Sequence, residues 1–192
     1  EMPGVYQDND FDCAGFSVGV VDEDEAWGPH RVQLGDVILG VESSGFHSNG
    51  YSLLRRVFAD DIDAWKEPLL RPTRLYVKLA KRLREVSGVR AVAHMTGGGI
   101  ENLPRVLPAQ TQAEVKVWKL PSEYLEVQKR TQMSTAEMLK SFNCGIGLMI
   151  VADPNDAERI RSVCQEFQWG CEVIGSVAKA SASAAEAVVR LT

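Results

Sequence analysis

The sequence predicts an α+β fold, with α/β as the related alternative, in which helices cover a layered mixed β-sheet. Short apolar runs with the two-residue period of strands alternate along the chain with segments whose apolar residues recur at helical spacing. Glycine-rich turns follow several of the strand-like runs, and no repeat or linker divides the 192 residues. We therefore predict a single domain, residues 1–192, which is long enough to bury a core without disulfide bonds.

Composition narrows the classes of function. Apolar residues make up 45% of the chain and charged residues 24%, and the net charge of −5 argues against a nucleic-acid surface, which needs excess Lys and Arg. The cysteines, Cys13, Cys144, Cys164 and Cys171, form no C-x-x-C pair, so we predict no metal site and reduced thiols in a cytoplasmic protein. No apolar run approaches the ~20 residues that span a bilayer, so we expect no membrane partner.

The first third of the chain predicts a loop, a strand and a central strand. Residues 1–13 are polar and turn-rich, and their alternating aspartates lack the glycine and distal glutamate of a calcium loop. Phe16, Val18 and Val20 alternate with small residues, which predicts a strand with one buried face. We expect this strand to pair with a strand over residues 36–42.

The central passage is a strand, a glycine-rich turn and a helix. The apolar run 37–41 predicts a buried strand, residues 43–50 predict the turn, and residues 53–58 have the apolar spacing of a helix. Ser48 or Asn49 is suited to cap that helix. Glycines allow backbone N–H groups to approach a ligand closely, and a helix N-terminus favours an anion, so this turn is a candidate phosphate site.

The sequence contains two further glycine-rich turns, one after a predicted strand and one before a predicted strand. Residues 90–96 predict a strand that ends at Gly97, Gly98 and Gly99, and residues 100–107 predict a short helix. Three glycines cost backbone entropy, so close approach to a ligand explains them better than a plain turn. The third turn, residues 142–147, leads into the strand 148–152.

The other elements follow the same periodicities. Ser134 and Glu137 have the spacing of a capping box, and Asp153 before Pro154 is typical of a helix start. The basic face of the helix near residue 80 is interpreted as solvated, with an anionic partner left open. The predicted helices and strands are: helices over 75–86, 122–130, 134–142 and after Asp153, and strands over 114–118, 171–177 and 188–191.

Two of the three histidines lie in the glycine clusters. His47 and His94 are expected at equivalent ends of neighbouring strands, where ligands of layered α/β proteins gather. The alternative for each is a histidine that satisfies backbone groups in a tight turn. The sequence contains no P-loop, no G-x-G-x-x-G after a strand and no nucleophile elbow, and Cys144 is interpreted as a small buried residue. The sequence therefore offers too few recognisable catalytic residues for this chain to act alone.

Five strings of the sequence, in this order and spacing, resemble the C-terminal part of the phosphoribosylformylglycinamidine cyclo-ligase (AIR synthetase) family. The resemblance covers residues 1 to about 178. The strings are E-M-P-G-V-Y (1–6), A-G-F-S-V-G-V-V (14–21), G-D-V-I-L-G-V-E-S-S-G-F-H-S-N-G-Y-S-L-L-R-R (35–56), H-M-T-G-G-G-I-E-N-L-P-R-V-L-P (94–108) and F-N-C-G-I-G-L-M (142–149).

This resemblance implies a step of purine biosynthesis. In the family, ATP phosphorylates the formyl amide oxygen of formylglycinamidine ribonucleotide, the amidine nitrogen attacks that carbon, and phosphate leaves as the imidazole ring closes. The resemblance makes His47 the candidate catalytic residue. The candidate contacts to substrate or phosphate are Ser44, Gly45, Ser48, Asn49, Gly50, His94, Thr96, Gly97, Gly98, Gly99, Asn143 and Gly145.

The sequence also departs from the family. The resemblance implies a preceding ATP-binding domain with magnesium ligands and much of a homodimer interface, and the 192 residues contain no counterpart of that domain. We therefore expect that ATP and Mg²⁺ serve the full-length family, that this chain alone needs no cofactor, and that it is inactive alone. The alternative is a non-catalytic anion- or nucleotide-binding module that works with a partner chain.

Overall fold

The computed structural model describes residues 15–180 and 186–192, so the loop predicted over residues 1–13 lies outside the described residues. Short 3₁₀ turns connect several of the main elements. The strands are β1 Val37–Glu42, β2 Val89–His94, β3 Thr111–Val115, β4 Ile146–Ala152, β5 Cys171–Lys179 and β6 Val188–Leu191. The helices are α1 Tyr51–Val57, α2 Lys66–Leu70, α3 Val77–Leu83, α4 Ser122–Thr131, α5 Thr135–Ser141 and α6 Ala157–Gln165.

The strands form one mixed sheet in the order β2-β4-β1-β5-β3-β6. All neighbouring pairs are antiparallel except β3 and β6, which are parallel. The predicted mixed sheet is therefore confirmed. Because β1 and β2 both run antiparallel to β4, which lies between them, their carboxyl ends share one edge of the sheet with the start of β4.

Helices cover both faces of the sheet. One apolar cluster joins the sheet to α1, α4 and α5 through residues such as Leu54, Tyr124 and Leu139, and the second joins it to α3 and α6 through Leu79 and Ile160. Every residue of β4 is buried, as its uninterrupted apolar sequence requires of a strand covered on both faces. None of the helices in the described ranges has the length and apolar character needed to cross a membrane.

Strong local signals predicted their elements well. The capping box is present, because Ser134 Oγ accepts from the Glu137 amide while the Glu137 carboxylate accepts from the Ser134 amide. Asp153 accepts from the amide of Asn155, but it begins a 3₁₀ turn that leads into α6. The helix predicted over 100–107 is a pair of 3₁₀ turns, and α3 is shorter than the predicted 75–86.

Two predictions near the site are wrong. Residues 16–20 form no strand, and β1 pairs with β4 and β5 instead. Neither Ser48 nor Asn49 caps α1, because the N-cap is Gly50 in the left-handed conformation, with φ of 72° and no side-chain hydrogen bond. A glycine adopts this conformation without the steric cost that a side chain brings.

Candidate functional site

Three loops meet at the sheet edge formed by the ends of β1 and β2 and the start of β4. They are residues 43–50, 95–99 and 143–145, the three glycine clusters of the sequence. Backbone hydrogen bonds tie them together, since Ser43 N donates to Gly145 O at 2.8 Å and Met95 N donates to Gly147 O at 2.9 Å. The fold therefore brings the predicted clusters to one place.

The loop 43–50 has an unusual backbone. His47 and Ser48 adopt positive φ angles of 53° and 60°, and Gly45 and Gly50 also have positive φ. Consecutive non-glycine residues in this region cost free energy, and such strain concentrates at functional sites. Within the described residues, the amides of Ser48 and Gly50 donate no hydrogen bond, which leaves these N–H groups open at the loop surface.

His47 is held inside this loop. Its side chain is 4% exposed, and its Nε2 accepts from the Ser44 amide at 2.9 Å. Burial is the main cause that lowers its pKa from 6.5 to about 4, with smaller contributions from His94 and Arg74, so the ring is neutral at pH 7. Because Nε2 accepts, the proton lies on Nδ1, which has no partner among the described residues.

Ser44 shares this arrangement. Its amide donates to His47 Nε2, and its hydroxyl donates to Pro72 O at 2.7 Å. The Oγ atom also lies 3.0 Å from His47 Nε2. The amide and the hydroxyl of Ser44 are therefore both bonded to protein, and these bonds connect the loop to the segment before α3.

Asn143 connects the loop 43–50 to the loop 143–145. It is fully buried, its side-chain amide donates to Gly45 O at 2.9 Å, and its Oδ1 accepts from Gly145 N at 2.8 Å. The Tyr124 hydroxyl lies 2.8 Å from both Gly45 O and Asn143 Oδ1. Asn143, predicted as a ligand contact, thus has its polar atoms engaged by protein, and Gly145 lies beside Pro121, where a Cβ would be only 2.6 Å away.

The glycines at 97–99 have different reasons to be glycine. A Cβ at Gly99 would lie 2.0 Å from Leu139 O, so packing of the turn against α5 requires glycine there. A Cβ at Gly97 or Gly98 would meet nothing closer than 3.8 Å. Packing therefore accounts for glycine at position 99, and a φ of 94° favours glycine at position 98, whereas Gly97 has open space around it.

Asn102 sets the orientation of the peptide groups in this turn. Its buried side chain donates to Gly99 O at 2.8 Å and lies 3.3 Å from Gly97 O, so carbonyl groups point towards Asn102. Among the hydrogen bonds of the described residues, none is donated by the amides of Thr96, Gly97 or Gly98. No local sequence pattern marks Asn102 as part of the site, although it lies three residues after Gly99.

The loops also approach one another through side chains. A Cβ at Gly97 would lie 3.8 Å from Asn49 Oδ1, and the rings of His47 and His94 are 6.3 Å apart between centroids. His94 is exposed, and partial burial lowers its pKa. The Tyr76 ring lies 5.8 Å from His94. The open amides of the two loops therefore border a surface that also carries an exposed imidazole.

Two arginines of the segment between α2 and α3 border the site. Arg71 Nη1 donates to Ser44 O at 3.0 Å, and its guanidinium pairs with Glu67. Arg74 donates to Glu42 O and pairs with the Glu42 carboxylate at 2.9 Å. Carboxylates thus offset the charge of both guanidinium groups.

Other chemistry has little support in the described residues. Within residues 15–180 and 186–192, no group of three or more His, Cys, Asp or Glu side chains could hold a metal ion. Cys144 is buried, and burial raises its pKa to about 12, so this thiol is not a nucleophile at neutral pH. Cys164 and Cys171 are free and buried between α6 and β5.

The fold and the site define a class: a mixed-sheet α+β domain whose glycine loops present open amides at one sheet edge, suited to an anionic ligand. The family model described as "AIR synthase related protein, C-terminal domain" matches residues 33–187. The chain belongs to this family.

Curated relatives agree with the family. The chain is 40% identical over 189 residues to a phosphoribosylformylglycinamidine cyclo-ligase of Desulfitobacterium hafniense, covering 92% of this chain and 56% of that protein. It is 41% identical over 179 residues to the enzyme of that name from Neisseria meningitidis serogroup B, covering 86% and 52%. The chain thus spans about half the length of these relatives.

Solved structures share the fold at low identity. Escherichia coli HypE, a hydrogenase maturation protein, matches with a TM-score of 0.61 and 20% identity, covering 86% of this chain and 49% of that one. Thermotoga maritima PurLQS matches with a TM-score of 0.57 and 16% identity, covering 91% and 26%. At these identities the likeness concerns the fold alone, and it confirms the predicted α+β class.

Proposed function

We propose that this chain is the substrate-binding part of a phosphoribosylformylglycinamidine cyclo-ligase. Its open amides at Ser48, Gly50 and residues 96–98 hold the ribose 5′-phosphate of formylglycinamidine ribonucleotide. The observation that carries the proposal is that the two loops carrying these N–H groups lie together at one sheet edge, in a chain 40% identical to a cyclo-ligase.

The proposed site needs no cationic side chain at its centre. Several N–H groups arranged in a concave turn bind a phosphate through charge-assisted hydrogen bonds. Arg71 and Arg74 are paired with Glu67 and Glu42, so they stabilise the loop rather than neutralise the ligand. Asn49, beside Gly97, is placed to contact the same ligand from the first loop.

We assign separate roles to the two histidines. His47 is a positioning residue, because its Nε2 accepts from the loop backbone and its low pKa keeps it neutral. Its Nδ1–H is a donor without a partner among the described residues. His94 is exposed at the same surface and is the imidazole that can meet substrate. Ser44, Asn143, Gly145 and Gly99 shape the loops.

The remaining parts of the reaction belong to a further domain. The curated relatives are nearly twice as long as the matched region, and we propose that their other half supplies ATP, Mg²⁺ and the homodimer contacts, in the cytoplasm. The present chain would then orient the ribonucleotide so that its formyl amide faces the nucleotide. We expect no turnover by the chain alone, and turnover when that half is supplied.

Calorimetric titration of the chain with formylglycinamidine ribonucleotide tests the proposal. We expect binding that inorganic phosphate competes with, and an affinity reduced about tenfold or more by Gly97→Ala, since a methyl group there obstructs the open amides. Gly15→Ala is the matched control, because a Cβ at Gly15 also meets nothing within 4 Å but lies in an exposed segment outside the three loops. Equal affinities for the two variants, or no heat of binding, would refute the proposal.

A further inference from the structure

The side chain of Tyr76 packs against both histidines of the site. Its ring centroid is 6.1 Å from that of His47 and 5.8 Å from that of His94, and both pairs meet edge to face. Aromatic rings favour this arrangement, because the positive edge of one ring meets the negative face of the next. Tyr76 is 8% exposed and comes directly before α3. The two imidazoles therefore share one buried aromatic neighbour.

The Tyr76 hydroxyl fixes the ring to the end of β1. Its Oη atom donates to Glu42 O at 2.8 Å, and Glu42 is the last residue before the loop 43–50. The Trp169 ring also packs against the Tyr76 ring, with 5.4 Å between centroids. A hydrogen bond and an aromatic neighbour thus hold the ring in place, so it offers the imidazoles a fixed surface.

Gly147, in the glycine motif 142–149, provides the space for this ring. A Cβ at Gly147 would overlap Tyr76 Oη and would lie 2.6 Å from His47 Cε1. The φ angle of Gly147 is not in the left-handed region, so the backbone of β4 does not itself require glycine here. Close approach of the Tyr76 and His47 side chains therefore explains this glycine, which the proposed anion site leaves unexplained.

The His94 imidazole depends on packing for its orientation. In the part of the chain that the structure describes, its ring has no hydrogen-bond partner. The titratable and charged groups that face it are His47, from the loop 43–50, and Tyr76 and Arg74, from the segment before α3. Burial lowers the pKa of His94. Loss of the Tyr76 ring would therefore both release this imidazole and hydrate it.

We propose that Tyr76 is a positioning residue, which holds the His94 imidazole in one orientation beside the open amides of residues 96–98. The inference rests on the proposed function only in naming the ligand that His94 meets. A neutral imidazole donates one hydrogen bond and accepts another, so its orientation decides which polar atoms of a ligand it can contact. An orientation that is fixed before binding also reduces the entropy that binding must remove.

An NMR titration of His94 in the chain alone tests this role without a ligand. In the wild type, His94 should titrate below its ordinary pKa of 6.5. Tyr76→Leu removes the aromatic ring, so the pKa should rise towards 6.5. Tyr76→Phe keeps the ring and loses the bond to Glu42 O, so the pKa should lie between the other two. The same pKa in the three proteins would overturn the proposal, and Tyr76→Phe alone decides if Tyr76→Leu does not fold.

Calorimetric titration with formylglycinamidine ribonucleotide measures the consequence for binding. Tyr76→Phe should reduce the affinity about threefold or more at pH 7, because a less fixed imidazole loses part of its hydrogen bond to the ligand. Ser134→Ala is the control, since it removes the cap of α5 at a similar cost in stability and should leave the affinity unchanged.

The outcomes separate this inference from the proposed phosphate site. Equal losses of affinity in Tyr76→Phe and Ser134→Ala would overturn the positioning role, because affinity would then follow stability. If the wild type binds no ribonucleotide, the phosphate site is refuted, whereas the titration of His94 still decides the role of Tyr76.

A double-mutant cycle tests the pairing of Tyr76 with Gly147. Gly147→Ala should lower the melting temperature less in the Tyr76→Phe background than in the wild type, because the oxygen that the new methyl group would overlap is absent. Additive changes in the melting temperature would overturn the part that we assign to Gly147.

Discussion

Acid should destabilise this protein through His47. The ring is 4% exposed, and its pKa in the folded chain is about 4, against 6.5 for an unperturbed histidine. At pH values between these two pKa values, His47 binds a proton in the unfolded chain but not in the folded chain, so the free energy of unfolding decreases as the pH falls. The pKa difference corresponds to about 3 kcal/mol, fully present above pH 6.5 and lost by about pH 4.

The assay is urea unfolding, followed by tryptophan fluorescence, at several pH values between 7 and 4. His47→Gln removes the titrating group while its side-chain oxygen can still accept from the Ser44 amide. The wild type should therefore lose about 3 kcal/mol more than His47→Gln across this range. His94 also has a lowered pKa, but burial lowers it and His94 is present in both proteins, so its own titration contributes to both unfolding series.

A third protein separates the charge from the hydrogen bond. At pH 7, His47→Leu should be less stable than His47→Gln by about 1–3 kcal/mol, because the Ser44 amide loses its acceptor in a part-buried position. If the wild type and His47→Gln show the same dependence of stability on pH, the reasoning about the buried neutral ring is refuted. Equal stability of His47→Leu and His47→Gln would refute the positioning role.

Three further predictions concern the packing of the site and of α5. Gly99→Ala should lower the free energy of unfolding by at least about 2 kcal/mol, because its Cβ would lie 2.0 Å from Leu139 O. Gly97→Ala should melt within a few degrees of the wild type, and similar melting temperatures for the two variants would contradict this reasoning. Tyr124→Phe should cost about 1–2 kcal/mol in urea unfolding, because a buried hydroxyl bonded to Gly45 O is lost, and a neutral effect would show that the bond is dispensable. Ser134→Ala should cost about 1 kcal/mol through loss of the capping box, with little change if the cap does not contribute.

The elements that the sequence predicted well are those whose signals are local. The capping box depends on residues three apart, and the buried strand β4 depends on an uninterrupted apolar run, so neither requires knowledge of distant contacts. The sequence also predicted that the glycine loops converge, but it expected neighbouring strands: β4 lies between β1 and β2, and their carboxyl ends reach the same sheet edge because both run antiparallel to β4. The predicted helix cap failed because Gly50, with positive φ, ends the turn itself.

The features that sequence analysis missed depend on contacts between distant residues. The reason for glycine at Gly99 is Leu139 O, forty positions away in the chain, and no local pattern reveals that approach. Arg71 and Arg74 reach the loop through Ser44 and Glu42. The strand predicted over residues 16–20 shows a further limit, because alternation reveals which side chains require a partner but not whether the described chain provides one.

The central position of β4 determines when the site can assemble. This strand lies between β1 and β2 and separates the two loops that carry the open amides, yet it follows both of them by more than forty residues in the chain. During synthesis, the earlier strands emerge without the neighbour that sets their spacing. The loops can take up their final arrangement only after residue 152 has left the ribosome, so a nascent chain that stops before β4 contains the glycine motifs but not the pocket.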